Sequence, residues 1–201
     1  MAHIRCGTGN QFAQYRLGKL LLKGDDGIPK DVITAIRWLT AAAKQENGYA
    51  EYALALVYLT GEDAPKDSVK ALSLLKRSAG RGNQFAQYRL GKLLLQGEDA
   101  PKDVKAAIRW LTAAAEQGNQ YAQYALGKLY LLGKEVPKDR SSAIKWFQLA
   151  ADQGNEYAQY FLKHMDDRLG QPPVAAVISL FHHLANIFQE TKPTTALRCV
   201  R

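Results

Sequence analysis

Along this chain the apolar positions recur in blocks with a helical period. After Asn10, the residues Ala13, Leu17, Leu20 and Leu21 fall on one face of a helix that Gly24 ends. Spacings of three and four residues are the mark of an amphipathic helix. A short polar turn follows. It holds Pro29, which cannot sit in a helix interior, and Asp31, placed to cap a second helix. In that helix Ala35, Ile36, Leu39, Ala42 and Ala43 form an apolar stripe. The same grammar then returns. Gly61, Gly97 and Gly133 repeat the stop, Pro65, Pro101 and Pro137 the break, and Asp67, Asp103 and Asp139 the cap. The stretch Gly82–Leu95 (GNQFAQYRLGKLLL) recurs letter for letter at Gly9–Leu22, with looser copies from Glu46, Gly118 and Gly154. Starts at 9, 46, 82, 118 and 154 are 37 or 36 residues apart. A fixed period in this range predicts stacked helix pairs, helix A and helix B of each unit packing antiparallel.

Small residues stand where the helices must approach closely. Ala50, Ala86, Ala122 and Ala158 recur in helix A, and Ala71, Ala107 and Ala143 in helix B. Gly18, Gly91 and Gly127 lie inside helix A, where glycine costs roughly 1 kcal/mol relative to alanine. A neighbouring helix is therefore expected to press on the backbone there. The second unit differs, with Ala55 for the glycine and Leu74 where the others have Trp38, Trp110 and Trp146. Units one and three are near copies, which points to growth by duplication of a two-unit block of 73 residues.

The predicted organisation is an N-terminal extension over 1–8, repeats over 9–45, 46–81, 82–117 and 118–153, and a half repeat over 154–166. A capping helix over 174–188 and a flexible tail over 189–201 complete it. Solenoid ends need a polar-faced cap, and Val174, Val177, Ile178, Phe181, Leu184, Ala185 and Phe188 give the last helix its apolar side. No helix B precedes the first helix A, so self-association through that uncapped helix is one way to cover it.

Composition changes this picture little. Lysine and arginine number 27 against 19 acids, a net charge of +8 that is spread along the chain rather than gathered in a nucleic-acid arm. Nucleic acid is thus expected only as an indirect partner. The two cysteines, Cys6 and Cys199, lie near opposite ends and build no disulfide framework. No leader-like core opens the chain, and no apolar run nears the roughly 20 residues of a bilayer span. A soluble, cytoplasmic protein without membrane contact is expected.

The pattern A-x-Y-x-L-G, then G, a P-K-D turn, A-x-x-W and A-A-x-x-G resembles the Sel-one-like repeat, a cousin of the tetratricopeptide repeat. In unit three the matching residues are Ala86, Tyr88, Leu90, Gly91, Gly97, Pro101, Asp103, Ala107, Trp110, Ala114, Ala115 and Gly118. The resemblance covers residues 9–162. It implies an all-α, right-handed solenoid of helix pairs that serves bacteria as an interaction scaffold, and the paired cysteines of secreted members are missing. A shorter resemblance, AQYFLKHMDD with SLFHHLANIFQE, is to the repeat-bearing tail of mobilisation relaxases. It implies an alternative role as the accessory tail of such a DNA-transfer enzyme.

No catalytic centre stands out, and no cofactor or metal is expected. His182 and His183 are adjacent and so point about 100° apart on a helix, unlike i, i+4 zinc pairs. Acid pairs such as Asp25–Asp26 and Glu98–Asp99 read as turn chemistry. Trp38, Trp110, Trp146, Tyr15, Tyr88 and Tyr124 read as core. The candidate site is a stripe along the helix A series, on the side away from Ala13 and Leu17. It comprises Phe12, Arg16, Lys19 and Lys23 in unit one, Tyr49 and Leu56 in unit two, Phe85, Arg89 and Lys92 in unit three, and Tyr121 and Lys128 in unit four. Aromatic and basic groups around a nearly apolar middle suit a protein or peptide partner with acidic flanks.

Overall fold

The computed structural model describes residues 9–24 and 27–164. These fold into nine α-helices: α1 Gln11–Lys23, α2 Val32–Lys44, α3 Gly48–Thr60, α4 Ser68–Gly80, α5 Gln84–Gln96, α6 Val104–Glu116, α7 Gln120–Leu132, α8 Arg140–Asp152 and α9 Glu156–His164. Helices α1, α3, α5 and α7 each pack chiefly on the even-numbered helix that follows, and next on the neighbouring pair, while α9 packs on α8. The result is an α-solenoid. Residues 174–188, where the sequence predicts a cap, lie outside the described residues.

The ends of the helices are set by the residues that the repeat keeps. Asn10, Asn47, Asn83, Asn119 and Asn155 each accept from an amide of the first turn of helix A. Asp31, Asp67, Asp103 and Asp139 do the same for helix B. Such caps satisfy amides that have no partner inside the helix. Gly61, Gly97 and Gly133 close α3, α5 and α7 in the left-handed conformation, where a side chain is strained.

The close approach expected at the mid-helix glycines is present. A Cβ at Gly18 would lie 2.7 Å from Leu39, at Gly91 2.7 Å from Leu111, and at Gly127 2.7 Å from the ring of Phe147. The partner is helix B of the same repeat, and Leu39, Leu75, Leu111 and Phe147 are fully buried. In the second repeat Ala55 takes the glycine position and is buried as well. There the helix pair accommodates the extra methyl.

Identical sequence does not give identical burial. Ala86, Leu90, Leu93 and Leu94 of α5 are buried, whereas Ala13, Leu17, Leu20 and Leu21 of α1 stay half-buried. Among the described residues no helix pair precedes α1, so its apolar face has one neighbour fewer. Trp110 and Trp146 pack against core clusters as expected.

A polar chain runs through the stack, and the sequence reading missed it. Gln14, Gln87 and Gln123 are buried. Each accepts from the glutamine that ends the following helix B: Gln45 at 2.8 Å, Gln117 at 2.7 Å and Gln153 at 2.7 Å. Gln87, Gln123 and Gln159 also donate backwards to the carbonyls of Ala79, Ala115 and Ala151. The second repeat replaces this pairing with charge. Glu51, fully buried, meets Arg77 Nη2 at 2.6 Å and Arg81 Nε at 3.3 Å. A carboxylate cannot donate, and the carbonyl of Ala43 is met instead by Arg77.

Two predictions follow from this packing. Gly127→Ala and Gly91→Ala should each lower stability by about 1–3 kcal/mol, because the new methyl meets the Phe147 ring in one case and both Leu111 and the Ala107 carbonyl in the other. Thermal melts of the two variants would show the loss. Replacing both Arg77 and Arg81 with alanine should cost about 3–5 kcal/mol by stranding the Glu51 carboxylate. Adding Glu51→Gln to that variant should recover most of the loss in the same melts.

Candidate interaction face

The stripe along the odd-numbered helices is a real surface of the stack. Phe12, Tyr49, Phe85 and Tyr121 occupy one position in successive repeats and are 58%, 50%, 43% and 53% exposed. Large rings this open to water are unusual for residues the packing could have covered. Tyr49, Phe85 and Tyr121 each lie against a tyrosine of the preceding repeat's helix A. Tyr15 lies 5.9 Å from Tyr49, Tyr52 6.2 Å from Phe85, Tyr88 6.0 Å from Tyr121, and Tyr124 6.0 Å from Tyr157, all tilted ring pairs. Side chains three apart on a helix are neighbours, so the rings form a continuous band across the repeats.

The tyrosines of that band, read from sequence as core, serve both sides. Tyr15, Tyr88 and Tyr124 pack against the core clusters, yet their rings also support the exposed row. Burial pushes the Tyr52 and Tyr88 phenols up, opposed by the charge of Arg89. Tyr124 has no such opposition and is raised to about 12, by burial first and then by Tyr157 and Tyr88. The pairing of these tyrosines with the next repeat's ring was readable as a 34- or 33-residue offset between aromatics, but only once the helices were known to lie side by side.

The basic members of the stripe divide into two patches. Arg16, Lys19 and Lys23 are exposed on α1, while Arg89, Lys92 and Lys128 are half-buried on α5 and α7. Between them α3 contributes Ala53 and half-buried Leu56 and no cation. Burial pushes the Lys92 amine down, with Arg89 adding to the effect. Lys128 is lowered in the same way, by burial and then by Lys92 and Lys134. Both amines are held partly out of water, which disfavours their charged form.

The acids of the turns are engaged elsewhere. Lys30, Lys66 and Lys102 of successive turns pair with Asp63, Asp99 and Glu135 of the next. Asp99 also accepts from Ser68 at 2.7 Å. These exposed pairs tie turn to turn and add little to stability. Glu98–Asp99 thus belongs to turn structure, as its sequence suggested, while Asp25 and Asp26 lie outside the described residues. His182 and His183 also lie outside them. His164 stacks on Tyr160 at 4.1 Å and its Nδ1 lies 2.7 Å from the Tyr160 carbonyl. Among the described residues no three His, Cys, Asp or Glu side chains come together as a metal site, and no helix is long and apolar enough to cross a membrane.

The Sel1 repeat model matches residues 11–47, 48–83, 84–119 and 120–155. Two solved structures share 34% sequence identity with the chain over 80% of its length. One is a protective antigen of uropathogenic Escherichia coli with an SLR fold, at a TM-score of 0.75. The other is a Sel1 repeat protein from Oxalobacter formigenes, at a TM-score of 0.72. The chain spans 34% of the first and 46% of the second. Cysteine-rich protein B of Helicobacter pylori is 22% identical, with a TM-score of 0.53 over 66% of this chain and 96% of its own, a likeness of fold alone. No curated protein matches.

The lowered lysines make a prediction of their own. At neutral pH Lys128→Met should raise the melting temperature, because it removes a cation that the fold holds at a penalty. The folded-state pKa lies below the ordinary 10.5, so the penalty is full below the folded value. It fades as pH rises through the folded value and is lost above 10.5, where the amine is neutral in both states. Melts at pH 7 and pH 10.5 should therefore show the advantage shrinking.

Proposed function

The chain belongs to the Sel1 repeat family, and on that premise we propose that it is a non-catalytic scaffold that binds a protein or peptide partner on the helix A face. Sel1 repeat proteins are generally protein-interaction scaffolds. The observation that supports this face over the rest of the surface is the row Phe12, Tyr49, Phe85 and Tyr121, four large rings near half exposure at one position of four repeats. Exposed aromatics beside basic side chains are what partner surfaces enrich. The half-buried lysines beside them add to the reading. Acidic groups on a partner would complement their charge.

The face comprises Phe12, Arg16, Lys19, Lys23, Tyr49, Leu56, Phe85, Arg89, Lys92, Tyr121 and Lys128. A partner lying along it crosses successive repeats, so its affinity grows by small increments from each. Lys19 and Lys92 represent the two basic patches.

Lys19→Glu with Lys92→Glu should leave the helical circular dichroism signal intact while abolishing capture of the partner from native host lysate treated with nuclease. Unchanged capture by the variant would remove the helix A face from consideration. Capture that disappears on nuclease treatment alone would point instead to nucleic acid.

A further inference from the structure

The same letters, QFAQYRLGKLLL, stand in α1 and in α5, but in different surroundings. Ala86, Leu90, Leu93 and Leu94 of α5 are buried, while Ala13, Leu17, Leu20 and Leu21 of α1 are half-buried. The structure shows what covers α5. Helix B of the repeat before it, α4, packs on it. From α4, Ala71, Leu74, Leu75 and Ala79 enter the core cluster that holds the four α5 residues. Gln87 ties the two helices by donating to the Ala79 carbonyl at 3.1 Å. From α3, the ring of Tyr52 lies 6.2 Å from that of Phe85. The pair α3–α4 is therefore a seated example of what fits this sequence.

Among the described residues nothing takes the place of that pair beside α1. Phe12, the counterpart of Phe85, is 58% exposed against 43%. Helix B shows the same contrast. Trp110 and Trp146 pack against clusters that the preceding repeat helps to build. Trp38 instead lines a hollow of about 300 Å³ with Thr34, Arg37 and Ala41. A second copy of this chain is a poor occupant for this end. Its α2, α4, α6 and α8 are each packed against the helix A that follows, so none is free to play the part of α4. Setting α1 against α1 is no better, because that helix carries Arg16, Lys19 and Lys23 and no acid, and like charges brought together across an interface repel.

We propose that the end formed by α1 and α2 binds a repeat-type helix pair of another protein, one whose last helix B has no helix packed after it. That helix B lies along Ala13, Leu17, Leu20 and Leu21 as α4 lies along α5, and an aromatic residue of its helix A meets Phe12. Repeat arrays are held by nearest-neighbour contacts, so the contact that joins repeats within this chain serves equally to join two chains. Such a partner continues the stack in line, whereas a ligand of the helix A face crosses it.

The test uses the full chain and a fluorescently labelled peptide of residues 46–81, the pair α3–α4 as a separate molecule, read by anisotropy. The peptide should bind saturably, and Leu75→Glu with Ala79→Glu in the peptide should weaken binding at least about tenfold. Leu17→Glu with Leu20→Glu in the chain should weaken it as much, with circular dichroism unchanged. A second measurement needs no charge in α1. A photo-crosslinking residue in place of Leu20 should capture the peptide, and one in place of Leu149, an exposed leucine of the fourth repeat, should not. Absence of saturable binding, equal binding of the two peptides, or equal capture at the two positions overturns the proposal. So does sedimentation in which the chain alone forms a dimer that Leu17→Glu with Leu20→Glu abolishes, for a second copy then covers this end. The helix A face is judged separately, by lysate capture with Lys19→Glu and Lys92→Glu.

Discussion

The stack depends on one contact, the seating of a bulky helix B residue against bare backbone on helix A. Leu39 on Gly18, Leu111 on Gly91 and Phe147 on Gly127 set how closely each pair of helices can approach. Everything else is measured from that distance. It brings the alanines Ala86, Ala107 and Ala122 to complete burial and aligns the glutamine at the start of helix A with the one that ends the next helix B. A glycine in mid-helix weakens the isolated helix. Tertiary packing more than offsets the loss, in keeping with helices that owe their stability to neighbours rather than to propensity.

That geometry leaves the two sides of helix A with different fates. The glycine side is sealed by helix B, while the side bearing the aromatic band meets the next helix A through tilted ring pairs about 6 Å apart. A tyrosine of each repeat lies against the ring that opens the next helix A, and those rings stay about half exposed.

Much of the architecture was legible because the chain states it several times. Asn10, Asp31, Gly24 and the Ala/Leu stripes predict the caps, stops and buried faces of the first repeat, and the same letters recur in the others. The capping role of Asp31 and the pressure on Gly91 both appear in the structure. What could not be read were the contacts between repeats. Gln14 and Gln45 look like surface residues in any helical projection, and only the stack shows them hydrogen-bonded to each other. The same holds for Glu51 with Arg77 and Arg81, whose pairing spans 26 and 30 residues of sequence. Sequence placed the aromatic and basic residues of the candidate face on one stripe. It gave no sign that Lys92 and Lys128 are partly desolvated, since that depends on how the repeats pack. Sequence identity also failed as a guide to environment, for α1 and α5 begin alike but differ in burial.

The confinement of the buried charge to one repeat bears on how the gene can change. Gly9–Leu22 and Gly82–Leu95 are identical, so an in-frame deletion that joins one to the other would excise 73 residues. That excision removes Glu46, Glu51, Arg77 and Arg81 together and sets α5 where α1 stood. The glutamine pairings that remain, Gln87 with Gln117 and Gln123 with Gln153, are intact. The array can therefore shorten by two repeats without stranding a buried charge, although Asp99 loses its exposed partner Lys66. Its length is open to natural variation in steps of two, whereas the loss of part of the second repeat alone would leave a carboxylate stranded in the core.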